Sequence, residues 1–391
     1  MTGPTEGSRF FQDPYPVYAA LRAEASVRAR PTRSQEGQRY LVLGYDEARQ
    51  ALADPRLSKD PAPFFADQPP RDIHPAVSRS MLATDPPAHT RLRRLVTKAF
   101  TTGAVTRLLP RITELTHELL DRWPLDGDVD FVASLATPLP VTVICELLGV
   151  PPADRPTLQR WSGDLFAAGD PDRHDAASHQ VADYMADLIA TKRNHPGDDL
   201  LDHLIAIRDH GDHLNEDELV SLAVLLLIAG HETTTNFLGN ALLALLQHPP
   251  ALAHLRDHPD QITHALDELL RYDGPINTAT FRHATQDIPL GDTTIPAGTA
   301  VLVSPAAANH DPQRFPHPDQ LDLTRDPTGH LAFGHGIHRC LGAPLAKAEA
   351  TIALTATLTR FPHLRLAVPP DQLQWRHTRL TRGLTTLPLH T

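Results

Sequence analysis

Apolar residues recur every three to four positions through most of the chain. That is the period of a helix with one buried side. Residues 15–24 and 45–54 read as short amphipathic helices, and 39–43, which alternate, as extended chain between them. Residues 59–87 are rich in proline yet carry Phe64, Phe65, Ile73, Val77, Met81 and Leu82. A long loop with that apolar content predicts an ordered lid rather than a linker.

Helical pattern continues from 88 to 272, broken at Gly127, Pro151, Gly169, Pro196 and Gly211. Residues 288–303, IPLGDTTIPAGTAVLV, alternate and carry turn glycines, predicting short strands. Residues 341–360 return to helix, and 380–389 predict a strand pair. No repeat, low-complexity tract or clear linker interrupts this order. The expected fold is mainly α with a small β portion, one domain over residues 1–391.

Residues 215–247 predict one helix about 50 Å long. Its first half, LVSLAVLLLIAG, is apolar all round and should be buried. HETTTN follows, and Glu232 and Thr233 are costly in such a helix unless they have partners or work. The Thr233 hydroxyl can bond the Ala229 carbonyl and bend the helix, and Gly230 would leave room above the helix surface. The residues alone leave open a simple kink with a glutamate that reaches solvent.

The charge balance is −11, a poor match to nucleic acid. Two cysteines make no disulfide framework and no iron–sulfur cluster. The first 30 residues lack a signal-type apolar core, and no run reaches the ~20 apolar residues of a membrane span. A cytoplasmic, membrane-free setting is expected.

Cys145, in VTVICELLGV, reads as an inert buried thiol. Cys340, in FGHGIHRCLG, ends a glycine-rich turn at the start of a helix. Unpaired N–H groups and the dipole there favour a thiolate. Clustering His335, His338 and Arg339 around an inert thiol would be costly. A nucleophile would need a paired base, and zinc would need a second cysteine at ligand spacing.

FGHGIHRCLG resembles the haem-binding signature of the cytochrome P450 family, with Phe333, Gly334, Gly336, His338, Cys340 and Gly342 in place. The resemblance implies haem b with Cys340 as axial thiolate. AGHETT, with Ala229 against the cofactor, resembles the family's oxygen-activation motif, so Glu232 and Thr233 are implied to steer protons. In DPPAHTRLRRLVTKAF, His89 and Arg93 share a helix side with Val96 and Phe100, while Arg91, Arg94 and Lys98 share another. The first pair resembles haem-propionate contacts, as do Arg282 and His338. Glu268 and Arg271 resemble the structural ExxR element, with Arg325 as its third partner. Leu321 and His310 depart from the residues common in relatives, phenylalanine and arginine.

The implied activity is insertion of one atom of O2 into an organic molecule, by hydroxylation or epoxidation. Electrons would come from a ferredoxin and its reductase, drawn to a basic face of Arg91, Arg94, Lys98, Arg339 and Lys347. The expected substrate pocket comprises the lid with Met81 and Leu82, Leu226, Ala229, residues 276–279 and residues 380–381. It is largely apolar, with Asn277 and Thr278 for a few hydrogen bonds and Ile276 and Leu380 as walls. That suits a lipophilic molecule with some oxygen functions. The resemblance implies a polyketide or macrolide of antibiotic biosynthesis, oxidised by a monomeric enzyme. A peroxide-driven peroxygenase and a non-catalytic haem-binding protein, the latter suggested by 23 histidines, stand as alternatives.

Overall fold

The computed structural model describes residues 10–31, 38–65, 71–166, 170–209 and 214–391. Gly169 and Gly211 lie outside these residues, and the side chains of Phe64, Phe65 and Lys98 also lie outside what is described.

Helices form the body. Tyr15–Glu24 and Tyr45–Ala53 sit where the apolar period places them. The segment read as one long lid is more structured than that. Pro61–Phe65 and Pro75–Ser78 are helical, and Met81–Ala83 is a 3₁₀ turn. His74 starts the second helix, its Nδ1 accepting from the Ala76 N–H at 3.1 Å.

The central helix, Glu216–Gln247, begins in a capping box. Asn215 Oδ1 accepts from the Glu218 N–H at 2.8 Å, and Glu218 Oε2 from the Asn215 N–H at 3.0 Å. Helices Pro138–Leu147, Pro171–Asn194, Ile262–Asp273 and Ala343–Arg360 pack around it. By length and composition it could cross a membrane, but its most apolar window is 67% buried inside the fold. An all-round apolar helix is satisfied by a protein interior.

A five-stranded sheet flanks the helices in the order Val27–Pro31, Gln38–Val42, Ala300–Val303, Arg282–Ala284, Leu57–Ser58. Gln38–Val42 runs parallel to Ala300–Val303, and the other pairs are antiparallel. Ile288–Leu290 and Thr293–Ile295 form a hairpin. The strand pair expected over 380–389 is not there. Only Pro388–His390 is a strand, laid between Asp128–Asp130 and Arg365–Leu366. The chain just upstream is held another way. Arg382 turns inward to Asp273 (2.6 Å) and to the carbonyls of Phe11 (3.0 Å) and Gln12 (3.1 Å), anchoring an irregular segment.

Glu268 and Arg271 meet inside the fold at 2.7 Å, and Arg325 Nε reaches Glu268 Oε1 at 3.2 Å. Arg271 also donates to the carbonyls of Asn309, Pro318 and Gln320. This network fastens the helix Ile262–Asp273 to the chain that leads into the cysteine loop. His310 fills its place by hydrogen bonds with Asp319 (2.9 Å) and the Tyr272 carbonyl (2.7 Å), stacked on Tyr15. Leu321 packs half-buried on the main core.

Candidate active site

Cys340 stands at the mouth of helix Ala343–Arg360. Its N–H donates to the Phe333 carbonyl at 2.8 Å, which closes the loop on itself. Gly334 and Gly336 both have positive φ, +72° and +74°. A Cβ on Gly336 would lie 2.8 Å from the Leu52 carbonyl oxygen, so glycine here seats the loop on helix Tyr45–Ala53. Gly342 is different, because its missing Cβ faces open space. That is the glycine that leaves clearance for a flat partner. The residue Cys340 is exposed, yet protein crowds the sulfur from behind. Burial pushes its thiol up, against the N–H groups of Gly342 and Ala343 and the guanidinium groups of Arg339 and Arg93, which pull it down. At Cys145 burial wins over the pull of Arg155 and pushes the thiol up to about 12.

Ala229 is exposed in the middle of the otherwise buried central helix, and Thr233, one turn on, is half-buried. Thr233 Oγ1 donates to the Ala229 carbonyl at 3.2 Å. Gly230 does not leave room above the helix surface. A Cβ there would strike Ile144 at 2.8 Å, so the glycine admits a neighbouring helix. Glu232 is 5% exposed and does not reach solvent. Arg376, from the C-terminal segment, holds its Oε1 at 2.6 Å, and Asn236 approaches at 3.4 Å. Arg376 escaped the sequence reading, since 144 residues separate it from Glu232. His231 is buried and bonds the Leu227 carbonyl at 2.8 Å.

A third cluster is basic. His89 and His338 face each other with ring centres 4.2 Å apart. Arg282 is 4% exposed and Lys59 1% exposed beside them. Arg93 Nη2 donates to the Arg339 carbonyl at 2.6 Å. Among the described residues, His89 Nδ1 and His338 Nε2 are buried without a hydrogen-bond partner. Burial, then His89, Lys59, Arg282 and Arg93, push His338 down to about 3. Burial likewise lowers His89 and pushes Arg282 down to about 10. Buried cations require anionic partners, and Asp85 is the carboxylate felt by His89, Lys59 and Arg282. The donor set therefore fits two carboxylates on the edge of a flat group whose metal meets Cys340. Haem with its propionates has those features.

The family model for cytochrome P450 matches residues 164–387. The chain belongs to the cytochrome P450 family. It is 46% identical to cytochrome P450 monooxygenase PikC of Streptomyces venezuelae, over 98% of this chain and 92% of that protein. It is 42% identical to 6-deoxyerythronolide B hydroxylase of Saccharopolyspora erythraea, over 98% and 97%. Among solved structures, tirandamycin C-bound P450 monooxygenase TamI superposes with a TM-score of 0.91 at 46% identity, covering 98% of each chain. The chain is thus a P450 monooxygenase of the actinomycete secondary-metabolite type. The family implies a haem iron held by a cysteine thiolate, and Cys340 is the cysteine in that motif.

Other residues around this P450 site are placed differently from expectation. Asn277 and Thr278 each already spend a donor within the protein. Asn277 Nδ2 donates to the Thr381 carbonyl (3.1 Å) and Thr278 Oγ1 to the Arg379 carbonyl (2.9 Å), tying down the C-terminal segment. Met81 and Leu226 are buried in the core, while Leu82, Ile276 and Leu380 keep partial exposure. Arg91 does not belong to an open basic stripe. It pairs with Glu218 at the start of the central helix. Lys347 is held by Asp267 at 2.5 Å. Arg94 and Arg339 are exposed and make no ion pair among the described residues.

Proposed function

We propose that this P450 uses O2 and electrons from a ferredoxin and its reductase to hydroxylate or epoxidise a lipophilic molecule of polyketide or macrolide type. The observation that carries the reading is the half-buried Thr233 beside an exposed Ala229, next in sequence to the buried, paired Glu232. Haem b, when bound, supplies the oxygen-activating chemistry. His89, Arg93, Arg282 and His338 would hold its propionates, Phe333, Gly334 and Ala229 its faces, and Cys340 its iron.

The chain's own residues do the remaining work. Thr233 gives up its weak helix bond to Ala229 and offers its hydroxyl proton to the distal side. Glu232 would relay a replacement proton taken up from water, which reaches its carboxylate past the part-exposed Arg376. Leu82, Ile276 and Leu380 exclude water from the substrate, and the substrate's oxygen functions meet few side-chain donors there. One relative is named a hydroxylase of 6-deoxyerythronolide B and another, TamI, is solved with tirandamycin C bound, which supports the substrate class. The exposed Arg94 and Arg339 support docking of an acidic electron donor. The enzyme works as a cytoplasmic monomer in this reading.

Thr233→Ala tests it. The variant should keep the red-shifted thiolate band of the reduced, carbon-monoxide-bound state. It should consume electrons while forming less product. Turnover with hydrogen peroxide alone, equal in both proteins, would instead make the chain a peroxygenase. Loss of the thiolate band in wild type would leave a non-catalytic haem protein.

A further inference from the structure

We infer that Lys59 is a haem-propionate ligand, placed opposite Arg282 by strand register. This rests on haem occupying the basic cluster described above. Leu57 pairs with Ala284 and Ser58 with His283, so the next antiparallel position sets Lys59 across from Arg282. The Asp85 carboxylate fixes that approach, accepting from Ser58 Oγ at 2.5 Å and from the Lys59 main-chain N–H at 3.0 Å.

Two cations directly opposite on a buried strand pair repel one another. Neither is neutralised by an ion pair among the described residues. Lys59 Nζ donates to Thr280 Oγ1 and to the Phe281 carbonyl at 2.9 Å, both neutral acceptors. Arg282 Nη1 donates to the Thr280 carbonyl at 3.1 Å. Both side chains bond Thr280, Lys59 at its hydroxyl and Arg282 at its carbonyl, which sets the two cations together. Burial and Arg282 together push Lys59 down to about 6, a cost that an anion between the two would reverse. These two acceptors leave a protonated Lys59 with one N–H still to give. A propionate is the anion the cluster is shaped to take, and Lys59 supplies it with a charge-assisted hydrogen bond.

The test compares wild type with K59M, K59Q and K59R as holoenzymes. Haem transfer to excess apomyoglobin gives the loss rate, and spectroelectrochemistry gives the iron midpoint potential. K59M and K59Q should lose haem on the order of tenfold faster, as expected for one charge-assisted bond. Their potentials should move negative, because a cation near the cofactor stabilises the reduced form. K59R should restore both values. T280V, which removes one acceptor of Nζ and no charge, should leave the potential in place. Wild-type rates and potentials in both neutral variants would overturn the inference. So would a K59R as defective as K59M, since that is packing rather than charge. The thiolate band of wild type is read in parallel. Its absence would sink the haem assignment itself, and its presence with an unaltered K59M sinks only the role of Lys59.

Discussion

Arg376 Nη1 lies 2.6 Å from Glu232 Oε1, so the buried acid of the central helix is governed by the C-terminal segment. The Glu232 side chain is 6% exposed and that of Arg376 30%. Arg376→Leu would leave a buried carboxylate unpaired. Because the arginine end is solvated, the loss should be about 1–3 kcal/mol, below that of a fully buried pair. Denaturant unfolding measures it. Coupling of electrons to product should fall as well, because the carboxylate loses its fixed orientation beside Thr233. Arg376→Lys should recover part of the coupling. Unchanged coupling in Arg376→Leu would remove Glu232 orientation from the argument.

The buried ExxR pair should behave more severely. The side chains of Arg271 and Glu268 are 0% and 2% exposed. Arg271→Leu would leave Glu268 with Arg325 as its one remaining cation among the described residues and would strip a donor from the carbonyls of Asn309, Pro318 and Gln320 at once. A loss of about 3–5 kcal/mol is expected, visible as little folded holoprotein on expression. A variant with a wild-type thermal midpoint would contradict the network's role.

These two cases show what a sequence can carry. Glu268 and Arg271 are three residues apart on one helix, and Cys340 sits inside a ten-residue loop, so local pattern reveals both. The central helix is legible for the same reason, to within one residue at its start. Arg376 and Lys59 are not, because their partners are set by tertiary approach across distant segments. Gly230 misled for a related reason. Its neighbour Ile144 belongs to another helix, and only packing shows that the glycine serves that contact. Asn277 and Thr278 looked like ligand donors because sequence does not show a donor already committed to a carbonyl. The leucines of 380–389 suit a strand pair and equally a segment anchored by the inward Arg382.

Charge reversal at the proximal face should act on rate rather than stability. Arg94 is exposed and has no ion pair among the described residues, so Arg94→Glu breaks no internal contact. Reduction by ferredoxin should slow several-fold at low salt, and its dependence on ionic strength should weaken. Arg91→Glu is a useful contrast. It meets Glu218 and should mainly cost stability. Stopped-flow reduction across a salt series reads both. Equal reduction rates in wild type and Arg94→Glu would end the docking proposal.

Glu349 gives a prediction about pH. It is 1% exposed on the helix that follows Cys340, with Thr234 as its hydrogen-bond partner and Oε2 unpartnered among the described residues. Burial pushes its carboxyl up to about 8. An unfolded glutamate titrates near ~4.3. The folded state therefore binds this proton more tightly. Its contribution to stability is fully present below the unfolded value and is lost as pH rises towards about 8. Across that window the slope can reach about 1.4 kcal/mol per pH unit. Glu349→Gln keeps a neutral, hydrogen-bonding side chain at every pH. Its thermal midpoint should stay near that of wild type at pH 5 and exceed it at pH 8. Parallel curves for the two proteins would show that Glu349 already ionises in the fold with a partner that burial conceals.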